Sequence, residues 1–127
     1  MYKEVVICIV VIVVIVSLDI FTQKYTRNTT SDITQIFADL KGDMLKEDKD
    51  KIDEKVKILD EKWRQKHDRL AYYIDHDELE KVDTAIVSLK SYVETDDYSS
   101  AIAELDEGKF ILEHIQKKYA FNLENIF

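Results

Sequence analysis

Apolar residues follow two patterns along this chain. From Val5 to Phe21 they are continuous, VVICIVVIVVIVSLDIF, broken only by Ser17 and Asp19, whereas beyond residue 30 they recur every three or four positions. As a helix the first pattern spans roughly 25 Å, close to the hydrocarbon thickness of a bilayer, with Asp19 able to reach the headgroups at one end. A strand of that length would be exceptional. The residues that follow offer neither an A-x-A-like cleavage pattern nor a lipoprotein-type cysteine. Residues 1–21 are therefore read as an uncleaved transmembrane anchor that contacts membrane lipid through residues 5–21. Its valines and isoleucines are tolerated because lipid offers the backbone no alternative to helical hydrogen bonds.

Residues 22–30 are polar and without periodicity, and are read as a juxtamembrane connector containing an Asn28-Thr29-Thr30 sequon. A helical bundle domain is expected over residues 31–127. Its first helix is capped by Ser31 or Asp32, carries the stripe Ile33, Ile36, Phe37, Leu40 and Met44, and is weakened by Gly42 in its last turns. Asp48 can cap a second helix of about 27 residues, with Ile52, Val56, Leu59, Trp63, His67, Leu70 and Ile74 along one side. The phase slips at Asp75-His76-Asp77, where Asp77 and Glu80 can form a capping box for a third helix with the seam Leu79, Val82, Ile86, Leu89 and Val93. After a turn at Thr95-Asp96-Asp97, the last helix aligns Tyr98, Ala101, Leu105, Gly108, Leu112, Ile115 and Tyr119. Gly108 stands where a large apolar residue is expected, so a bulky neighbour should pack against it, with Trp63 the candidate. The tail Ala120–Phe127 is apolar to its end and is expected to fold back onto the bundle. The fold class is thus all-α: an N-terminal transmembrane helix followed by an antiparallel bundle of about four amphipathic helices.

Composition agrees with this and narrows the partners. The 127 residues contain no proline and two glycines, and the only cysteine, Cys8, lies inside the apolar run. The part beyond the span thus has no disulfide of its own and is acceptable on either side of a membrane. The formal net charge of −8 repels nucleic acid and anionic headgroups alike, so no nucleic-acid partner is expected. Lys3 and the amino terminus on one side, Lys24 and Arg27 on the other, mark orientation poorly. The cell membrane is the expected location, with the helical domain on its extracytoplasmic side.

Candidate chemistry is sparse. His67, His76 and His114 do not stand at the i+3 or i+4 spacings of helical metal sites, and no His-Glu-x-x-His pattern accompanies them. The carboxylates lie in mixed-sign runs such as Lys46–Lys51, from which no acid/base pair stands out. No catalytic residue, cofactor or metal ligand is assigned. Trp63, His67, Tyr73 and His76 remain as candidate contacts for a ligand or partner, although aromatics at helical spacing are more often core.

Trp63, the segment LAYYIDHDELE (Leu70–Glu80) and the terminal Leu123-Glu124-Asn125-Ile126-Phe127, behind an N-terminal apolar anchor, resemble a family of small uncharacterised membrane-anchored proteins of Gram-positive bacteria, classed as a domain of unknown function. The resemblance implies a single-pass helical protein working beside a multi-spanning membrane protein, with no assigned activity and no catalytic residues to carry over. The expected function is therefore a non-enzymatic interaction or accessory module of a membrane complex, with which self-association is compatible. One alternative is a membrane-tethered small-molecule or metal sensor using the Trp63–His76 region. A hydrolase built on His76 and Asp77 is a more distant rival.

Overall fold

Proline-free amphipathic segments separated by short polar runs can bury their stripes only against one another, and in this structure they do. The structure, a computed structural model, describes the backbone of residues 1–126 and the side chains of residues 1–119. The described residues form α1 (Tyr2–Leu45), α2 (Lys49–Leu70), α3 (His76–Glu94) and α4 (Tyr98–Ile126). Short connections make consecutive helices antiparallel. Two contacts confirm it for α1 and α2, with Asp43 beside Lys55 at one end and Thr26 beside Tyr73, just past α2, at the other. Each helix packs on two others, in the cyclic order α1, α2, α3, α4.

The span and the first bundle helix are one continuous element. Residues 22–30, expected to form a connector, are helical, and Thr26, Thr29 and Thr30 are buried. The inward positions run Thr22, Thr26, Thr29, Ile33, Phe37, Leu40 and Met44, a 4,3,4,4,3,4 spacing in which threonine methyl groups extend the apolar stripe. The Thr26 hydroxyl donates to the Thr22 carbonyl at 2.7 Å, so its polarity is satisfied within the helix. Towards the other end of α1, an 18-residue window long and apolar enough to cross a membrane has none of its residues buried.

The expected seams form the core. Leu79, Val82, Ile86, Leu89 and Val93 of α3 are all buried, as are Ala101, Leu105, Leu112 and Ile115 of α4. The group packed against Gly108 is Phe37 of α1, not Trp63: a Cβ there would lie 3.0 Å from Phe37 Cε2. Trp63 is buried, as expected, but at the contact of α2 with α3.

Helix ends differ from the sequence reading mainly around residue 75. α2 stops at Leu70, earlier than its hydrophobic spacing suggests, although Ile74 is still buried beyond the turn. α3 begins at His76 with Asp75 as N-cap, so Asp77 is a first-turn acid and not the cap. The Asp75 backbone N–H donates instead to the Tyr119 hydroxyl at 2.9 Å. The α1–α2 and α3–α4 turns share one solution. Each has a non-glycine residue in left-handed conformation, Glu47 (φ 54°) and Asp96 (φ 56°), followed by an N–H that reaches back five residues, from Asp48 to Asp43 and from Asp97 to Tyr92. Asp48 caps α2 as expected, accepting from the Lys51 N–H. α4 continues to Ile126, beyond the expected end at Tyr119, and the packing of Ala120–Phe127 against the bundle lies outside the described side chains.

Candidate functional site

The four candidate residues fall into three places. Trp63 and His67, one helical turn apart on α2, meet edge to face with ring centroids 5.9 Å apart. Asp83 of α3 completes their cluster. Its Oδ1 accepts from Trp63 Nε1 at 2.5 Å, and its Oδ2 lies 3.2 Å from His67 Nε2, close enough for an ion pair when the imidazole is protonated but without hydrogen-bond alignment. Arg64 and Asp68 complete the lining of the cleft of about 370 Å³ beside them. Asp83 follows the seam residue Val82 by one position, at the edge of the buried face of α3, so its pattern reads as ordinary helix flank. Only the bundle's register reveals its partner.

Tyr73 lies elsewhere, at the end of the bundle nearest the apolar span. The Thr26 and Tyr73 hydroxyls share a hydrogen bond at 2.6 Å, and both also face the Thr22 carbonyl, at 2.7 and 3.4 Å. Burial pushes the Tyr73 phenol above the ordinary tyrosine range, partly offset by Thr26. Its ring meets Tyr119 edge to face at 6.3 Å. Lys118 beside it reaches Glu78 at 3.0 Å and Asp75 at 3.3 Å, and these carboxylates hold its ammonium above the usual lysine value. Aromatic and charged side chains thus tie the start of α3 to α4 and α1.

His76 joins neither group. It is 81% exposed at the first turn of α3, with Glu80 3.9 Å away as its charged neighbour. Among the described residues no three His, Cys, Asp or Glu side chains cluster closely enough to hold a metal ion.

A larger feature went unread in the sequence. Between α3 and α4 runs a groove of about 770 Å³ with Ala85, Phe110 and Ile111 in its lining and Asp77, Glu80, Glu104 and Glu107 around them, four carboxylates against the one ammonium of Lys81. Phe110 is 70% exposed. Burial, reinforced by the neighbouring Glu107, raises the Glu104 carboxyl above its ordinary range. Phe110 is the signal that could have disclosed the groove, because it interrupts the polar side of α4 two residues after Gly108.

With four packed helices and these side-chain clusters defined, the comparison with known proteins is decisive for family only. The model of a domain of unknown function, DUF4363, matches residues 20–126. The chain belongs to this family. The DUF4363 match begins at Ile20, so it takes in residues 22–30 together with the bundle, in keeping with their place in the first bundle helix. No curated protein and no solved structure matches the chain.

Proposed function

We propose that this DUF4363 protein is a single-pass, membrane-anchored interaction module that holds a rigid helical bundle beside a membrane-protein partner and carries no chemistry of its own. The observation behind this reading is α1: its apolar part leaves the bundle uncovered by any other segment of the described chain and passes without interruption into the bundle core. A continuous helix transmits position and orientation, which a flexible tether would not. The bundle stands on the extracytoplasmic side in this reading, with Lys3 and the amino terminus opposite it. The partner-facing surface is the α3–α4 groove, whose acidic surround and exposed Phe110 suit a basic segment with an apolar face. The sensor alternative gains less from the geometry, since Asp83 Oδ1 already takes the Trp63 N–H, His67 Nε2 is left as the unpaired polar atom of the cleft, and His76 lies outside it.

The test joins location to contact. Full-length chain should remain in membranes after an alkaline carbonate wash, because a span of this size does not detach as peripheral attachments do. A photocrosslinking residue at position 110 should then capture a membrane protein in native membranes, and the adduct should disappear when Glu104 and Glu107 are both replaced by lysine. Release into the wash removes the anchor. Capture that ignores the charge reversal removes the groove.

A further inference from the structure

Where α1 emerges from its apolar run, a cleft of about 430 Å³ opens between it and the end of α2, with Leu18, Phe21, Tyr25, Arg69 and Tyr72 in its lining. We propose that this cleft seats one membrane phospholipid, its phosphate and ester oxygens taken by Arg69 and Tyr25 and the upper part of an acyl chain by Leu18 and Phe21. The inference rests on α1 crossing the bilayer.

Position is the first support. Leu18 and Phe21 are exposed and continue the lipid-facing surface of the span, so the cleft opens where headgroups meet hydrocarbon. The second support is unmet polar capacity. Arg69 is exposed and its guanidinium has no hydrogen bond or ion pair among the described residues, and the Tyr25 hydroxyl is buried without a hydrogen-bond partner. A phosphodiester supplies acceptors to both, and its charge suits a guanidinium fork. Lys66, whose ammonium stands 5.4 Å from the centre of the Tyr25 ring, adds a second cation beside the same residue. The third is Tyr72, which is 89% exposed on the turn after α2. A fully hydrated tyrosine gains nothing there, whereas one at the level of Phe21 enters the interfacial region in which amphipathic rings are favoured. Lipid seated in this cleft fixes the bundle upright by a second attachment, across α1 from α4.

The test uses the full chain in phosphatidylcholine nanodiscs doped with a phosphatidylcholine carrying a diazirine near the acyl carbonyl. After illumination, adducts should map both to residues 5–21 and to the peptide containing Arg69 and Tyr72. Arg69→Gln with Tyr72→Ala should cut the α2 adduct about tenfold, the loss expected on removing one charge-assisted hydrogen bond to a phosphate, and leave the α1 adduct unchanged. Tyr25→Phe, which deletes a single oxygen, should lower the α2 adduct in the same direction. Adducts confined to α1, or an α2 adduct indifferent to these changes, overturn the lipid site while the anchor stands. Absence of adducts on residues 5–21 overturns the anchor itself. Crosslinking of the α2 peptide to a co-reconstituted membrane protein, with no lipid adduct in its absence, assigns the cleft to that protein and also overturns the proposal.

Discussion

Phe37 and Gly108 share a space that only one of them can fill. The Phe37 ring is buried, and its Cε2 and Cζ would stand 3.0 and 3.2 Å from a Cβ on Gly108. Alanine in place of a helical glycine normally gains about 1 kcal/mol, while overpacking a closed core costs about 1–3 kcal/mol. Gly108→Ala is therefore expected to be net destabilising. In a Phe37→Leu background the same change should become neutral or stabilising, and thermal midpoints of the four chains in mild detergent measure the coupling. Equal effects in both backgrounds would show that the ring yields freely.

Trp63→Ala should lower stability by about 3–5 kcal/mol, the range for emptying a large aromatic site. Trp63→Phe keeps most of the packing but leaves Asp83 without its N–H donor, and should cost about 1–2 kcal/mol. Near-neutral behaviour of Trp63→Phe in chemical denaturation would mean that the 2.5 Å bond to Asp83 contributes little to joining α2 and α3.

Alkaline pH should weaken the bundle. Burial raises the folded-state values of both Tyr73 and Tyr119. The linked stability is then fully present below about pH 10, where an unfolded-chain tyrosine ionises, and is lost as pH rises through the higher folded values. Lys118, raised by Glu78 and Asp75, acts in the same sense. Thermal midpoints followed upward from pH 8 should hold and then fall. Tyr73→Phe should start lower, having lost its bond to Thr26, and decline less steeply. An unchanged slope would exclude Tyr73 as a contributor.

Glu47→Gly should stabilise the chain. Glu47 holds a left-handed conformation, which costs an L-residue about 1–2 kcal/mol and glycine almost nothing; glycine's greater freedom in the unfolded state leaves a net gain of about 0.5–1 kcal/mol. A drop in the thermal midpoint would indicate that the Glu47 side chain makes a compensating contribution.

His76→Ala should leave stability within about 0.5 kcal/mol, as for other exposed positions. Asp77→Ala should cost less than the roughly 1 kcal/mol of a lost cap, since Asp75 holds the cap position and Asp77 acts only on the helix dipole. A saturable, zinc-dependent rise in the thermal midpoint, lost in His76→Ala, would reverse this and make His76 a ligand.

Periodicity alone settled the helical class, because the turn of an α-helix is a local property and every third or fourth residue reports it. The α3 and α4 seams were legible residue by residue for this reason, as was the bilayer-length run at Val5–Phe21. The helix through residues 22–30 was not, because Thr26 and Thr29 were counted as polar. Packing buries their methyl groups while the Thr26 hydroxyl bonds to its own helix. Longer-range relations were invisible on principle. Gly108 announced a bulky neighbour, but Phe37 lies 71 positions away on α1, and only the order and register of four packed helices select it over Trp63. The same register brings Asp83 to Trp63 and His67 and leaves His76 in solvent. It also sets the end of α2 and the turn after it beside the apolar part of α1, where Arg69 and Tyr72, two unremarkable residues in the sequence, come to border one cleft with Leu18 and Phe21.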